Sequence, residues 1–164
     1  MAPEDALASI AEIAIGLAGF SGLVAAFVQS SGHSWKGDQK ARIVFLVILS
    51  FAVITTSLLP SAISGLSASP ALVWGIPMIA CGFVTLTSLL CWVVLSRRHH
   101  YRLQFPKTSI SILSISGTLQ LAVLLSGFGV VLPYSPALFV FGLLSILVFC
   151  ANMFLALLHM TWRE

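Results

Sequence analysis

The chain has 164 residues, of which 59% are hydrophobic and only 8% charged, with a mean hydropathy of +1.06. A soluble domain of this length carries roughly a quarter charged residues to cover its surface, so a water-facing globule is excluded and lipid is the expected solvent of one transmembrane domain, residues 1–164. The net charge of +3 is weak evidence for nucleic acid or other anionic partners, because the placement of the basic residues has a topological cause.

The first apolar run, about 6–28, starts behind Glu4 and Asp5 with no basic n-region and no Ala-x-Ala cleavage signal, which predicts a retained helix rather than a signal peptide. On a helical wheel Ile10, Ile13, Leu17, Phe20, Val24 and Phe27 form a bulky stripe, and Glu12, Gly16, Gly19 and Ala26 form another face. Gly16, Gly19 and Gly22 are expected to pack closely against neighbouring helices, since small residues let membrane helices approach. Glu12 is the one acid inside a predicted span. A carboxylate at the bilayer centre costs roughly 2.5–3.5 kcal/mol, so Glu12 is expected to face partner helices with the glycines. It reads either as an acidic group on a proton or cation path or as an interfacial acid reaching outward.

Four more apolar runs follow, at about 43–66, 71–96, 110–132 and 137–159. Each has the ~20 residues that a helix needs to cross ~30 Å of hydrocarbon. Membrane-spanning strands are excluded, because they read as alternating segments of about ten residues. Ser67-Ala68-Ser69-Pro70 and Pro133-Tyr134-Ser135-Pro136 are predicted to be tight turns, so the runs pair as two helical hairpins. Ser69-Pro70-Ala71-Leu72-Val73 is echoed by Ser135-Pro136-Ala137-Leu138-Phe139, either as a parallel duplication or because Ser-Pro turns start helices well.

The basic residues occupy only alternate connections. Lys36, Lys40 and Arg42 follow the first run, Arg97, Arg98, Arg102 and Lys107 follow the third, and Arg163 follows the fifth. Basic loops stay in the cytosol during insertion, which predicts an all-α integral membrane protein: a bundle of five transmembrane helices, N-terminus outside and C-terminus inside. The alternative is four spans with an interfacial first helix. The span is preferred because residues 13–28 carry only Ser21 as a polar side chain, where an interfacial helix needs a strongly charged face.

Ser and Thr within the runs are expected to bond their own backbone, whereas Gln120 and Asn152 need partners across helices or water. Those two, with Glu12, are the candidates for a pore or ion path. Cys81, Cys91 and Cys150 read as small packing residues; the first two lie about 15 Å apart on one helix, beyond bridging distance. His33, His99, His100 and His159 fall beside Trp35, Tyr101 and Trp162 at the cytosolic side. Adjacent His99 and His100 cannot converge on one ion from a helix, so no metal and no cofactor is expected. Interface anchoring is the plainer reading.

Lys36, Lys40, Arg42, Arg97, Arg98, Arg102 and Lys107 form a candidate site for an anionic ligand or for lipid headgroups, since guanidinium forks suit phosphate. A nucleotide could stack there on Trp35 or Tyr101. There is no G-x-S-x-G elbow, phosphate loop or H-E-x-x-H, and the chain is not expected to be an enzyme. Two classes remain: a homo-oligomeric ion channel or transport-type pore with a basic cytosolic mouth, and a non-catalytic accessory or structural subunit of a larger membrane complex. One subunit of five helices surrounds too little space for a broad pathway, so conduction calls for a symmetric ring. Short loops and the lack of disulfide and N-glycosylation signals suit a bacterial inner membrane. The variant Ala2→Cys is expected to react with an impermeant external reagent in intact cells; labelling only after lysis selects the four-span arrangement.

Overall fold

The computed structural model describes residues 3–30, 37–66, 69–98 and 106–161, and these are helical apart from the turns, with no strand among them. Five helices follow in order: α1 (Pro3–Ser30), α2 (Gly37–Ser64), α3 (Ile76–Arg98, entered through a π-helical turn at Ala71–Gly75), α4 (Pro106–Gly127) and α5 (Pro136–Thr161). All five are long and apolar enough to cross a membrane. Large apolar side chains such as Phe20, Phe51, Phe83, Leu90 and Phe141 stand exposed around the bundle. In a soluble protein that surface would aggregate; around a bundle of this composition it is compatible with contact to lipid.

The centre belongs to α2 and α5. Helix α2 packs on α1, α3 and α5, and α5 packs on α1, α2 and α4, while α3 and α4 form a pair of their own. Leu46, Leu49 and Val53 of α2 meet Phe139, Leu143, Cys150, Met153 and Leu157 of α5 in one core, joined by Met78, Cys81 and Val123. Helix α1 lies along α2 and α5 as a fifth member of the bundle rather than apart from it.

The inward face of α1 departs from expectation. Leu7, Ile10, Ala11, Ala14 and Ser21 are buried, whereas Ile13, Phe20, Phe27, Glu12, Gly16, Gly19 and Gly22 are exposed. The predicted bulky stripe is thus split between two faces. A Cβ added at Gly16, Gly19 or Gly22 would meet nothing within 4 Å, so these glycines permit no close approach within the chain. The alanines Ala11 and Ala14 do that work against α2 and α5. With apolar surroundings on both sides of a membrane helix, hydrophobicity does not choose which face turns inward.

The glycines that let helices touch lie elsewhere. At Gly82 of α3 an added Cβ would sit 2.7 Å from Leu124 Cβ and 3.2 Å from the carbonyl oxygen of Gln120, both on α4. At Gly142 of α5 it would sit 2.6 Å from Val123 Cγ2 of α4, and at Gly127 3.0 Å from the Ile79 backbone nitrogen of α3. Gln120 stands between Gly82 and Gly142 and is fully buried. Its Nε2 donates to the Gly142 carbonyl at 2.7 Å and to Ser145 Oγ at 3.3 Å. The Thr85 hydroxyl lies 3.0 Å from Gln120 Oε1 and 2.6 Å from the Cys81 carbonyl, sharing its single proton between them. One amide therefore ties α3, α4 and α5 together.

Among the helix boundaries that differ from the sequence reading, the start of α2 and the end of α4 bear most on the packing. Helix α2 starts at Gly37, six positions before the predicted 43 (43 − 37), with Asp38 in its first turn, where a carboxylate suits the helix dipole and Oδ1 accepts the Gln39 N–H at 3.0 Å. Arg42 consequently rides on a helix instead of a loop. Helix α4 ends at Gly127, not near 132, and the connection to α5 is longer than a tight turn. Ser126 Oγ donates to the Leu132 carbonyl at 2.7 Å, and Gly129, Leu132 and Tyr134 take positive φ values of 76°, 43° and 55°. The loop brings the Tyr134 ring against Gly75, where a Cβ would lie 3.3 Å from Tyr134 Cε1. At the other predicted hairpin turn Ser67 and Ala68 lie outside the described residues. The echoed pentapeptides also start differently, the first in a π turn ahead of Pro77 and the second in an α-helix. Pro77 brings no N–H to the ladder behind it, a recognised cause of such local widening.

Because the obstruction at Gly82 is backbone as well as side chain, Gly82→Ala is expected to lower stability in detergent by about 1–3 kcal/mol. Gly16→Ala, whose added Cβ meets nothing within the chain, should cause no such loss in the single-chain bundle. Thermal unfolding of the two purified variants checks the contrast, and equal losses contradict it.

Candidate functional site

The connectivity places the start of α2, the end of α3, the start of α4 and the end of α5 at one end of the bundle. Between them is a cavity of about 330 Å³. Arg42 of α2, Trp92, Ser96 and Arg97 of α3, Ile110 and Leu113 of α4, and Phe149, Asn152 and Met153 of α5 line it. Its volume is that of a small-ligand site.

Arg42 organises the cavity. It is only 4% exposed, an unusual position for a guanidinium, and its Cζ lies 5.4 Å from the centroid of the Trp92 ring. Trp92 is itself buried and meets Phe45 edge-on, with centroids 5.3 Å apart and planes at 75°. The aromatic face supplies the negative quadrupole that a poorly hydrated cation needs. Phe45 fixes the indole, and Trp92 in turn fixes the direction of Arg42. Asp38 is one helical turn before Arg42, the i,i+4 spacing at which opposite charges support a helix.

Arg97 closes the other side and is exposed, so its charge faces the opening. Ser96 Oγ is buried and makes no hydrogen bond among the described residues. The cavity lining contains two guanidinium groups, a hydroxyl and an amide but no carboxylate. That donor set can hold an anion, and the apolar floor of Ile110, Leu113, Phe149 and Met153 can hold a hydrocarbon part beneath it. Nothing in the lining pairs a nucleophile with a base, and no cluster of three metal-ligating side chains occurs among the described residues.

The residues singled out in the sequence separate into groups. Arg42, Arg97 and Asn152 come together in the cavity. Lys40 and Arg98 are exposed near it but outside its lining, and Lys107 falls in the first turn of α4, where only its backbone is described. Lys36, Arg102, His33, His99, His100, Trp35 and Tyr101 lie outside the described residues. Gln120 has both ends of its amide engaged within the bundle and presents no surface to a solute. Glu12 is exposed on α1, facing away from the other helices of its own chain.

Sequence reasoning missed Trp92, Ser96 and Phe149. Each sits in an apolar run where an aromatic or a serine is ordinary, and the pairing of Arg42 with Trp92 joins two helices with no motif to announce it. The one available signal was the aromatic within a turn and a half of Arg97, on the helix face that also carries Ser96. The chain matches no known protein family, and no curated protein or solved structure is significantly similar to it.

Proposed function

We propose that this protein is a small, non-enzymatic polytopic protein of a bacterial inner membrane, oriented with Arg42 and Arg97 on the cytosolic side, that works as a homo-oligomeric transport-type pore with an anion-binding inner mouth. The observation that carries the reading is Arg42, held at 4% exposure against Trp92 in a cavity whose lining also includes the exposed Arg97. A charge kept at such a place attracts anions strongly, because little water screens it. Basic placement in alternate connections supports the orientation.

The pathway belongs between copies rather than within one. The middle of the single bundle is closed by the Gln120 amide and its close glycine contacts, while Glu12, Gly16, Gly19 and Gly22 face outward from α1. Copies meeting along α1 would gain close backbone approach from those glycines and would shelter Glu12 from lipid. The same open face also suits a different membrane protein, which makes an accessory subunit the second reading.

Purified protein in liposomes is expected to give ion flux above that of empty liposomes, with a several-fold fall in anion preference when Arg97, Arg98 and Arg102 are together changed to Gln. The detergent-solubilised mass should exceed that of a monomer. Flux equal to the background from a strictly monomeric particle selects the accessory reading.

A further inference from the structure

A second hollow, about 440 Å³, runs along the outside of the α3–α4 pair. Leu86, Leu89 and Leu90 of α3 form one wall, and Leu113, Gly117 and Leu121 of α4 form the other. It shares Val93 and Leu113 with the basic cavity, so the two adjoin. From Arg97 at one end to Leu86 at the other the combined trough spans about 16 Å at 1.5 Å per residue. Half of a ~30 Å hydrocarbon core is about the same. The trough thus has a positive, hydrogen-bonding head at the bundle's end and an apolar tail one leaflet deep.

The geometry points to one occupant: an anionic phospholipid drawn from the leaflet on the Arg97 side. Its phosphate sits between Arg42 and Arg97, within reach of the Ser96 hydroxyl, and one acyl chain lies in the α3–α4 groove. Three observations favour a lipid over a free anion. The cavity floor is apolar, and Val93 and Leu113 line both the cavity and the groove, so an apolar surface extends beyond the guanidinium groups. The buried Ser96 hydroxyl makes no hydrogen bond among the described residues, leaving a donor for the ester or phosphate oxygens. Gly117 leaves a gap in the groove wall, since a Cβ there would meet nothing within 4 Å. Bulk lipid wets any apolar groove without preference, so the selectivity of this one resides in the head, and the groove contributes shape. The two-part form is that of a headgroup site, with charge-assisted hydrogen bonds to a phosphate. The inference rests on the reading that the basic cavity takes an anion in a membrane; it does not rest on conduction.

The test uses the full chain, delipidated in detergent and titrated with dioleoyl phosphatidylglycerol or dioleoyl phosphatidylcholine, with retained lipid counted by native mass spectrometry. One phosphatidylglycerol per chain is expected, held at least about tenfold more tightly than phosphatidylcholine, as for one extra charge-assisted hydrogen bond. Arg97→Gln and Gly117→Leu should each weaken it by a similar factor. Neither variant disturbs packing, because Arg97 is exposed and the Gly117 Cβ direction is open, and unchanged thermal unfolding confirms this for each. Equal affinity for the two lipids overturns the proposal, as does retention unaffected by Arg97→Gln. Loss on Arg97→Gln with no effect of Gly117→Leu, together with displacement by millimolar inorganic phosphate, overturns the lipid and leaves a plain anion site. Retained phosphatidylglycerol in a protein without flux upholds this proposal while the pore reading fails.

Discussion

Gln120 holds three helices with one side chain. Its Nε2 reaches the Gly142 carbonyl and its Oε1 meets the Thr85 hydroxyl, so α3, α4 and α5 cannot separate without leaving a buried amide unsatisfied. In lipid there is no hydrophobic drive between helices, and association depends on close packing and interhelical hydrogen bonds of about 0.6 kcal/mol on average. The glycines make the bonds possible. Only because Gly82 and Gly142 lack side chains do the three backbones come near enough for a single glutamine to bridge them. Everything at the basic end stands on that lock, since the ends of α3, α4 and α5 that wall the cavity extend from it.

Arg42 is the counterpart at the basic end. An arginine at the centre of a membrane helix costs roughly 2.5–3.5 kcal/mol, and less toward an end. A desolvated cation over a tryptophan face returns about 2 kcal/mol. The terms are of similar size, so the aromatic contact offsets much of the cost of burying the charge. The T-shaped contact with Phe45 makes the arrangement rigid, because it removes the freedom of the indole to turn away.

Helix α1 follows another logic. It contributes Leu7, Ile10, Ala11 and Ala14 to the bundle and turns its acid and its glycines outward. An exposed carboxyl among glycines is a poor lipid-facing surface, both for the cost of the charge and for the thin packing. The basic cavity and the open α1 face thus lie on different elements of the bundle.

The five long apolar helices were legible because a bilayer crossing needs ~20 consecutive apolar residues, a length that reads directly off the sequence. Connectivity alone also brought Arg42 and Arg97 to one end of the bundle. The sequence showed as well that Gln120 and Asn152 had to find polar company. Which company was decided by the tertiary structure, which seats Gln120 in a closed network and Asn152 beside an open cavity. It likewise chose Gly82, Gly127 and Gly142 as the close contacts over Gly16, Gly19 and Gly22. In water the inner face of a helix announces itself by being greasier than the outer. Here both faces are greasy, so only the complementary shape of the neighbouring helices determines which one turns inward.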